Sequence, residues 1–214
     1  MQYARFLVAV FFFIGLSHVA GHGRLRVPSG RASMWRDGYD TVPDYNDNEL
    51  FCGGFKHQWE VNRGLCGICG DPYDGPYPHE APGGPYASGI IVEDYKSGQW
   101  IDVSVEVTTA HLGYWEFKIC PNDNIQQDPD QDCFDRIGLL PTSGGSENYP
   151  LNTWDERFFH LKVKLPDNVT CEQCIFQWKW ITGNSWGVCE DGSEALGCGP
   201  QETFMGCADV KISS

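Results

Sequence analysis

The chain has 214 residues, with 15 Lys and Arg against 29 Asp and Glu, a net charge of −14 and ten cysteines. That acidity, with no basic stretch anywhere, excludes a nucleic-acid partner. No apolar segment has the length of a membrane span, and the length suits one domain with a full-sized core.

Residues 1–21 read as a secretory signal peptide. Arg5 gives a positive start, residues 6–16 form an apolar run too short to cross a bilayer as a helix, and small residues follow. Signal peptidase requires small, uncharged side chains one and three residues before the cut. A cut after Gly21 places Gly21 and Val19 there, whereas a cut after Ala20 would put His18 in the third position. The mature chain is expected to begin at His22, to be exported as a soluble, extracellular monomer with no membrane partner, and to carry a charge of −15 once Arg5 is lost.

Residues 22–214 read as a single domain with no internal repeat or linker. Residues 22–100 are dense in Gly, Pro, Tyr, Trp and Cys and lack clean periodicity. They read as long loops at one end of the fold, with a short helix near residues 31–35. Strict alternation then begins. In "IDVSVEV", Ile101, Val103, Val105 and Val107 alternate with polar residues, as a half-buried strand requires. "YWEFKIC" puts Trp115, Phe117 and Ile119 on one face, and "FFHLKVKL" puts Phe159, Leu161, Val163 and Leu165 on one face. "IFQWKWI" and "CADVKI" alternate as well. Turn residues separate these runs, so the fold expected is an all-β antiparallel sandwich with long disulfide-pinned loops.

All ten cysteines lie in the mature part: Cys52, Cys66, Cys69, Cys120, Cys133, Cys171, Cys174, Cys189, Cys198 and Cys207. An even number in an exported chain argues for five disulfides, with the connectivity left open. Cys66/Cys69 and Cys171/Cys174 have zinc-like C-x-x-C spacing, but a zinc ribbon holds its pairs roughly 15–20 residues apart and these are far more distant. Asn168-Val169-Thr170 is a glycosylation sequon at Asn168.

Among the histidines, His57 and His79 sit in loops and His160 on a charged strand face, where hydration is the default. His111 differs, because "TTAHLGYW" connects two strands at an end of the sandwich, where sites gather. An N-terminal His22 has a chemistry no internal histidine possesses. Its α-amine loses a proton to metal at neutral pH and, with the ring Nδ1, closes a six-membered chelate on one ion. His111 would add a third nitrogen. Neutral nitrogens in a planar set favour Cu(II) over zinc, which prefers a tetrahedral site.

The "HG" following the leader, "TTAHLGYWEFKIC", "FQWKWITGNSWG" and "GPQETFMGCADVKI" together resemble a lytic polysaccharide monooxygenase. The likeness is nearest to the invertebrate group, auxiliary activity family fifteen, also described as a chitin-binding type-4 domain. "YNDNELFCGG" and "GLCGICGD" look typical of that group, and the likeness spans the mature chain. It implies an immunoglobulin-like or fibronectin-like sandwich, copper as cofactor, an external electron donor, and oxidative cleavage of a crystalline β-1,4-linked polysaccharide with O2 or H2O2. The substrate implied is chitin, with cellulose as the second choice. Carried over, His22 and His111 are the copper ligands, and Phe204 takes the axial position, where a phenyl ring restricts access without ligating. Ala110 keeps the opposite side open, and Gln177 is expected as a hydrogen-bonding group near bound oxygen. Trp35 and Tyr39 are candidates to stack on sugar rings. The rival readings are a non-catalytic chitin-binding module and an extracellular copper-binding protein.

Overall fold

Residues 22–214 are described by the computed structural model; the leader read over residues 1–21 lies outside the described residues. The strands are β1 (His22–Val27), β2 (Glu93–Lys96), β3 (Trp100–Thr109), β4 (Gly113–Pro121), β5 (Tyr149–Leu151), β6 (Arg157–Lys164), β7 (Cys171–Ile181), β8 (Trp186–Val188), β9 (Glu194–Leu196) and β10 (Thr203–Ser213). They form a three-stranded sheet, β1-β3-β6, a five-stranded sheet, β2-β10-β7-β4-β5, and a two-stranded ribbon, β8-β9.

The alternating residues of the sequence build the space between the two larger sheets. Ile101, Val103, Val105 and Val107 from β3 and Phe159, Leu161 and Val163 from β6 meet Trp115, Phe117 and Ile119 from β4 and Trp178 and Trp180 from β7, all buried in one cluster. Register enforces this: Trp115 lies opposite Trp180, Phe117 opposite Trp178 and Ile119 opposite Phe176, so a single face of β4 and β7 carries the aromatic floor. A one-residue slip would turn that face outward, which is why the register is firmly specified. Among the described residues every strand pairing is antiparallel except one: β2 runs parallel to β10. The expected antiparallel sandwich is thus borne out, with one parallel pairing at its edge. β2 is a short edge strand fed by the long loop segment, so its direction is not set by a hairpin.

The long loops also depart from expectation. Instead of gathering at one end, residues between β1 and β2 cover the outer face of the five-stranded sheet. Arg31 N–H donates to the Cys207 carbonyl (2.7 Å), and Met205 N–H to Leu50 (2.9 Å). The odd-numbered residues of β7 and β10 point into this layer. Ile175 and Cys207 pack there with Ile68, Cys69, Cys120 and Phe134. Both faces of these two strands are therefore largely buried, and in "IFQWKWI" only Lys179 and Ile181 are part-exposed. Within the loops lie a 3₁₀ turn, Met34–Asp37, slightly beyond the short helix expected, and a π turn, His57–Val61. The helix α1 (Gln131–Ile137) adds Phe134 to the same layer.

Five disulfides account for all ten cysteines: Cys52–Cys66, Cys69–Cys207, Cys120–Cys133, Cys171–Cys174 and Cys189–Cys198. One C-x-x-C closes on itself, while Cys66 and Cys69 go to different partners, so the zinc-ribbon pattern is not used. Among the described residues no helix is long and apolar enough to cross a membrane. Asn168 lies exposed in the turn between β6 and β7.

Candidate metal centre

His22 opens β1, and its backbone lies opposite Thr109 at the end of β3, with a bulge between His22 and Gly23. His111 follows two residues after Thr109, so the sheet brings both histidines to one end of the sandwich. Gly23 allows this approach: a Cβ there would sit 3.3 Å from the Trp178 ring and 3.4 Å from Trp180. The His111 turn is equally constrained. Leu112 and Gly113 both take positive φ, and a Cβ on Gly113 would lie within 2.0 Å of the Ile181 carbonyl oxygen, so only glycine fits. Gly183 N–H donates to the His111 carbonyl (2.8 Å), and the Trp180 indole N–H donates to the Leu112 carbonyl (2.8 Å).

The two imidazoles are held by opposite nitrogens. His22 Nε2 lies 3.0 Å from Glu49 Oε1. A carboxylate only accepts, so Nε2 carries the proton and the Nδ1 lone pair is free. His111 Nδ1 lies 2.7 Å from Asn184 Nδ2 and 3.6 Å from Glu202 Oε2. The amide oxygen, Asn184 Oδ1, accepts from the Thr182 hydroxyl (2.8 Å), so the amide N–H faces the ring; Nδ1 is the engaged nitrogen, and Nε2 has no hydrogen-bond partner among the described residues. The free pair is thus Nδ1 of His22 and Nε2 of His111. Nδ1 is the ring nitrogen that closes a six-membered chelate with the residue's own α-amine. Among the described residues no three His, Cys, Asp or Glu side chains gather into a metal-binding group. In a chain beginning at His22 the α-amine would be a third donor beside the two rings, and such a nitrogen set would fit copper.

Beside the histidines, Trp180 presents its ring edge to His111 at 6.5 Å between centroids. Phe204, opposite Trp180 in the β7–β10 pairing, is fully buried, 5.4 Å from that ring and stacked on Phe51 at 6.2 Å. Ala110 is half-buried against the core. Gln177 is placed elsewhere, which corrects its expected role. Strand alternation turns it to the reverse face of β7, where its amide donates to the Ile68 carbonyl (2.8 Å) and meets Gln131 (3.1 Å). Trp35 and Tyr39 are half-buried and committed at their polar ends, Trp35 to the Asp44 carbonyl (3.1 Å) and Tyr39 to Val92 (3.3 Å). Their neighbour Tyr45 is the more exposed ring.

Two other histidines differ from the hydrated reading. His79 is buried between Asp71 (Nδ1, 2.7 Å) and Asp44 (Nε2, 3.0 Å). Burial opposes its charge, but the hydrogen bonds to Asp44 and Asp71 outweigh that and raise its pKa above the ordinary histidine value. His57 bonds Asp74 at 2.8 Å. His160 is exposed on the outer face of β6, as read. Glu49, Asn184 and Glu202 are the site residues that sequence reasoning missed. Each lies inside a stretch the resemblance quoted, "YNDNELFCGG", "ITGNSWG" and "GPQETF", but only folding shows which ring they touch.

The family described as lytic polysaccharide mono-oxygenase, cellulose-degrading, matches residues 22–210. A solved lytic polysaccharide monooxygenase of family AA15 from Thermobia domestica, in the Cu(I) state, is 44% identical with a TM-score of 0.85, covering 89% of this chain and 98% of that one. The cellulose-active monooxygenase CelS2 in complex with copper is 16% identical (TM-score 0.54, 90% and 100% coverage). A chitin-binding domain from Burkholderia pseudomallei is 14% identical (TM-score 0.50, 91% and 100% coverage). These last two share the fold alone. No curated protein sequence matches the chain.

Proposed function

Because the chain belongs to the lytic polysaccharide mono-oxygenase family, copper-dependent oxidoreductases that act on insoluble polysaccharide with electrons from a reductant, we propose that it is an exported enzyme, beginning at His22 and working as a monomer, that cleaves chitin. The observation that carries the ligand assignment is the opposite tethering of the two rings, by Glu49 at Nε2 of His22 and by Asn184 at Nδ1 of His111.

On this reading the α-amine and Nδ1 of His22 and Nε2 of His111 hold the copper. Bound there, copper supplies the redox chemistry by which O2 or peroxide oxidises an unactivated C–H bond of the polymer. The protein does the rest by position. Glu49 holds the proton on Nε2 of His22 and Asn184 occupies Nδ1 of His111, which leaves Nδ1 of His22 and Nε2 of His111 for the metal. The carbonyls of His111 and Leu112, both hydrogen-bonded, fix the turn that carries the second ring. Phe204, buried against Trp180, offers no donor atom and keeps water from that side of the centre. No paired carboxylates for hydrolysis are required.

Chitin is favoured over cellulose by the resemblance to the invertebrate group and by charge. A mature charge of −15 leaves a neutral acetylated surface unopposed and attracts partly deacetylated chitin, whose amines are cationic. That attraction is screened over about 8 Å at physiological ionic strength. Incubation of the copper-loaded protein with ascorbate and either insoluble chitin or cellulose, with mass spectrometry of soluble products, tests the reading. Oxidised chito-oligosaccharides are expected. Oxidised products from cellulose alone would overturn the substrate choice, and none from either polymer would overturn the cleavage reading.

A further inference from the structure

We infer that Glu49 is a positioning residue for copper: its carboxylate, through the 3.0 Å contact with Nε2 of His22, sets both the orientation and the donor strength of the terminal histidine. The inference rests on the copper reading of His22 and His111. His22 is the ligand most in need of such a partner. It stands at the end of its strand, with a bulge directly after it, and only one side of its backbone is paired.

The segment that carries Glu49 is held from three sides. Gly23 N–H donates to the Asn48 carbonyl (3.0 Å), which ties the segment to β1. The Asn48 side-chain amide donates to Thr108 Oγ1 (3.0 Å), which ties it to β3 just before the His111 turn. Met205 N–H donates to the Leu50 carbonyl (2.9 Å), which ties it to β10 next to Phe204. Asp47, wholly buried, anchors the same stretch through Arg24 and Arg36. The backbone on both sides of Glu49 is thus fixed to the strands that carry the site, while its own side chain is 46% exposed and, among the described residues, makes one polar contact, to His22. An exposed acid on so firmly held a segment has its reach set by the scaffold.

The chemistry follows from the contact. A carboxylate that accepts the Nε2 proton pushes electron density through the ring onto Nδ1, the ligating atom. This strengthens the bond to Cu(II) more than to Cu(I) and fixes the ring about χ2. Partners of this kind typically alter metal affinity 10–100-fold.

The test uses the secreted, copper-loaded protein as wild type, Glu49→Ala and Glu49→Gln, with three readouts: Cu(II) affinity by competition titration, the Cu(II) EPR spectrum, and the copper reduction potential. Glu49→Ala is expected to weaken Cu(II) binding about 10-fold or more, to change the EPR parameters and to raise the potential, with thermal unfolding of the copper-free protein unchanged. Glu49→Gln keeps an oxygen that accepts the Nε2 proton but lacks the charge, so it should restore most of the affinity and leave the potential raised. A purely structural role for Glu49 would not separate the two quantities. If wild type binds copper and Glu49→Ala matches it in all three readouts, the inference fails alone. If wild type takes up no copper, the ligand reading fails and this inference goes with it.

Discussion

The five-stranded sheet has two unlike faces. Towards β1-β3-β6 it buries hydrocarbon and indole: Phe117, Trp115, Trp178 and Trp180, with few polar atoms to satisfy. Towards the long loops it buries charge. Arg31 lies between Asp128 (2.5 and 3.0 Å) and Asp209 (2.7 and 2.8 Å), Gln173 donates to the same Asp209 (2.8 Å), and His79 bridges Asp44 and Asp71 nearby. The first face is held by the removal of apolar surface from water, which is forgiving of direction. The second is held by hydrogen-bonded ion pairs and by disulfides, which specify geometry but fail once a partner is lost. The candidate centre stands at the seam, with His111 from the apolar sandwich and Glu49 from the charged layer.

The largest test of that contrast removes the cross-link between the loop layer and the sheet. Cys69–Cys207 joins residues 138 apart in sequence, against 14 for Cys52–Cys66. On the chain-entropy account, replacing the first pair with alanines should cost about 5 kcal/mol and the second about 3 kcal/mol. Chemical denaturation of the two variants measures both; equal losses would show that loop length does not govern them. Next comes Arg31→Met, which leaves Asp128 and Asp209 buried without their cation. A loss of roughly 3–5 kcal/mol is expected, or about 10 °C in Tm. An unchanged Tm would mean the layer is not held by this cluster.

A smaller, pH-dependent effect separates the two faces without mutation. Burial pushes the Glu80 carboxyl up to about 7; the Cys69 N–H opposes this and the charge of Asp71 adds to it. His79 is also raised, as described above. Both groups bind protons more tightly in the folded state, so their contribution is full at acid pH and is lost as pH rises, for Glu80 between its ordinary value and about 7. Denaturation midpoints should therefore fall from pH 5.5 to 8, and Glu80→Gln should flatten the slope. Midpoints rising over that range would contradict the assignment.

The sandwich was legible in the sequence because alternation over β3, β4 and β6 reports a single buried face. β7 and β10 misled the same reading, since their second face is covered by residues distant in the chain, and no local pattern records that. His79 looked solvated for the same reason: its two carboxylate partners lie 8 and 35 residues away. At the centre, the chemistry of a terminal histidine singled out His22 and the strand connection singled out His111. Glu49 and Asn184 went unassigned because each is defined by which ring nitrogen it meets. Gln177 was assigned from its neighbours in "FQWKW", but strand parity turns it away from Trp178 and Trp180.

The assignment of His22 and His111 is tested most directly by copper titration with EPR on three proteins: one beginning at His22, one with a single residue retained ahead of it, and one beginning at His22 with His111→Ala. The first should bind one copper tightly with three nitrogen donors. The second should lose the amine donor, because a preceding residue makes it an amide, and its affinity should collapse. The third should bind weakly while keeping its fold. Equal affinity and identical spectra for the first two proteins would contradict the account.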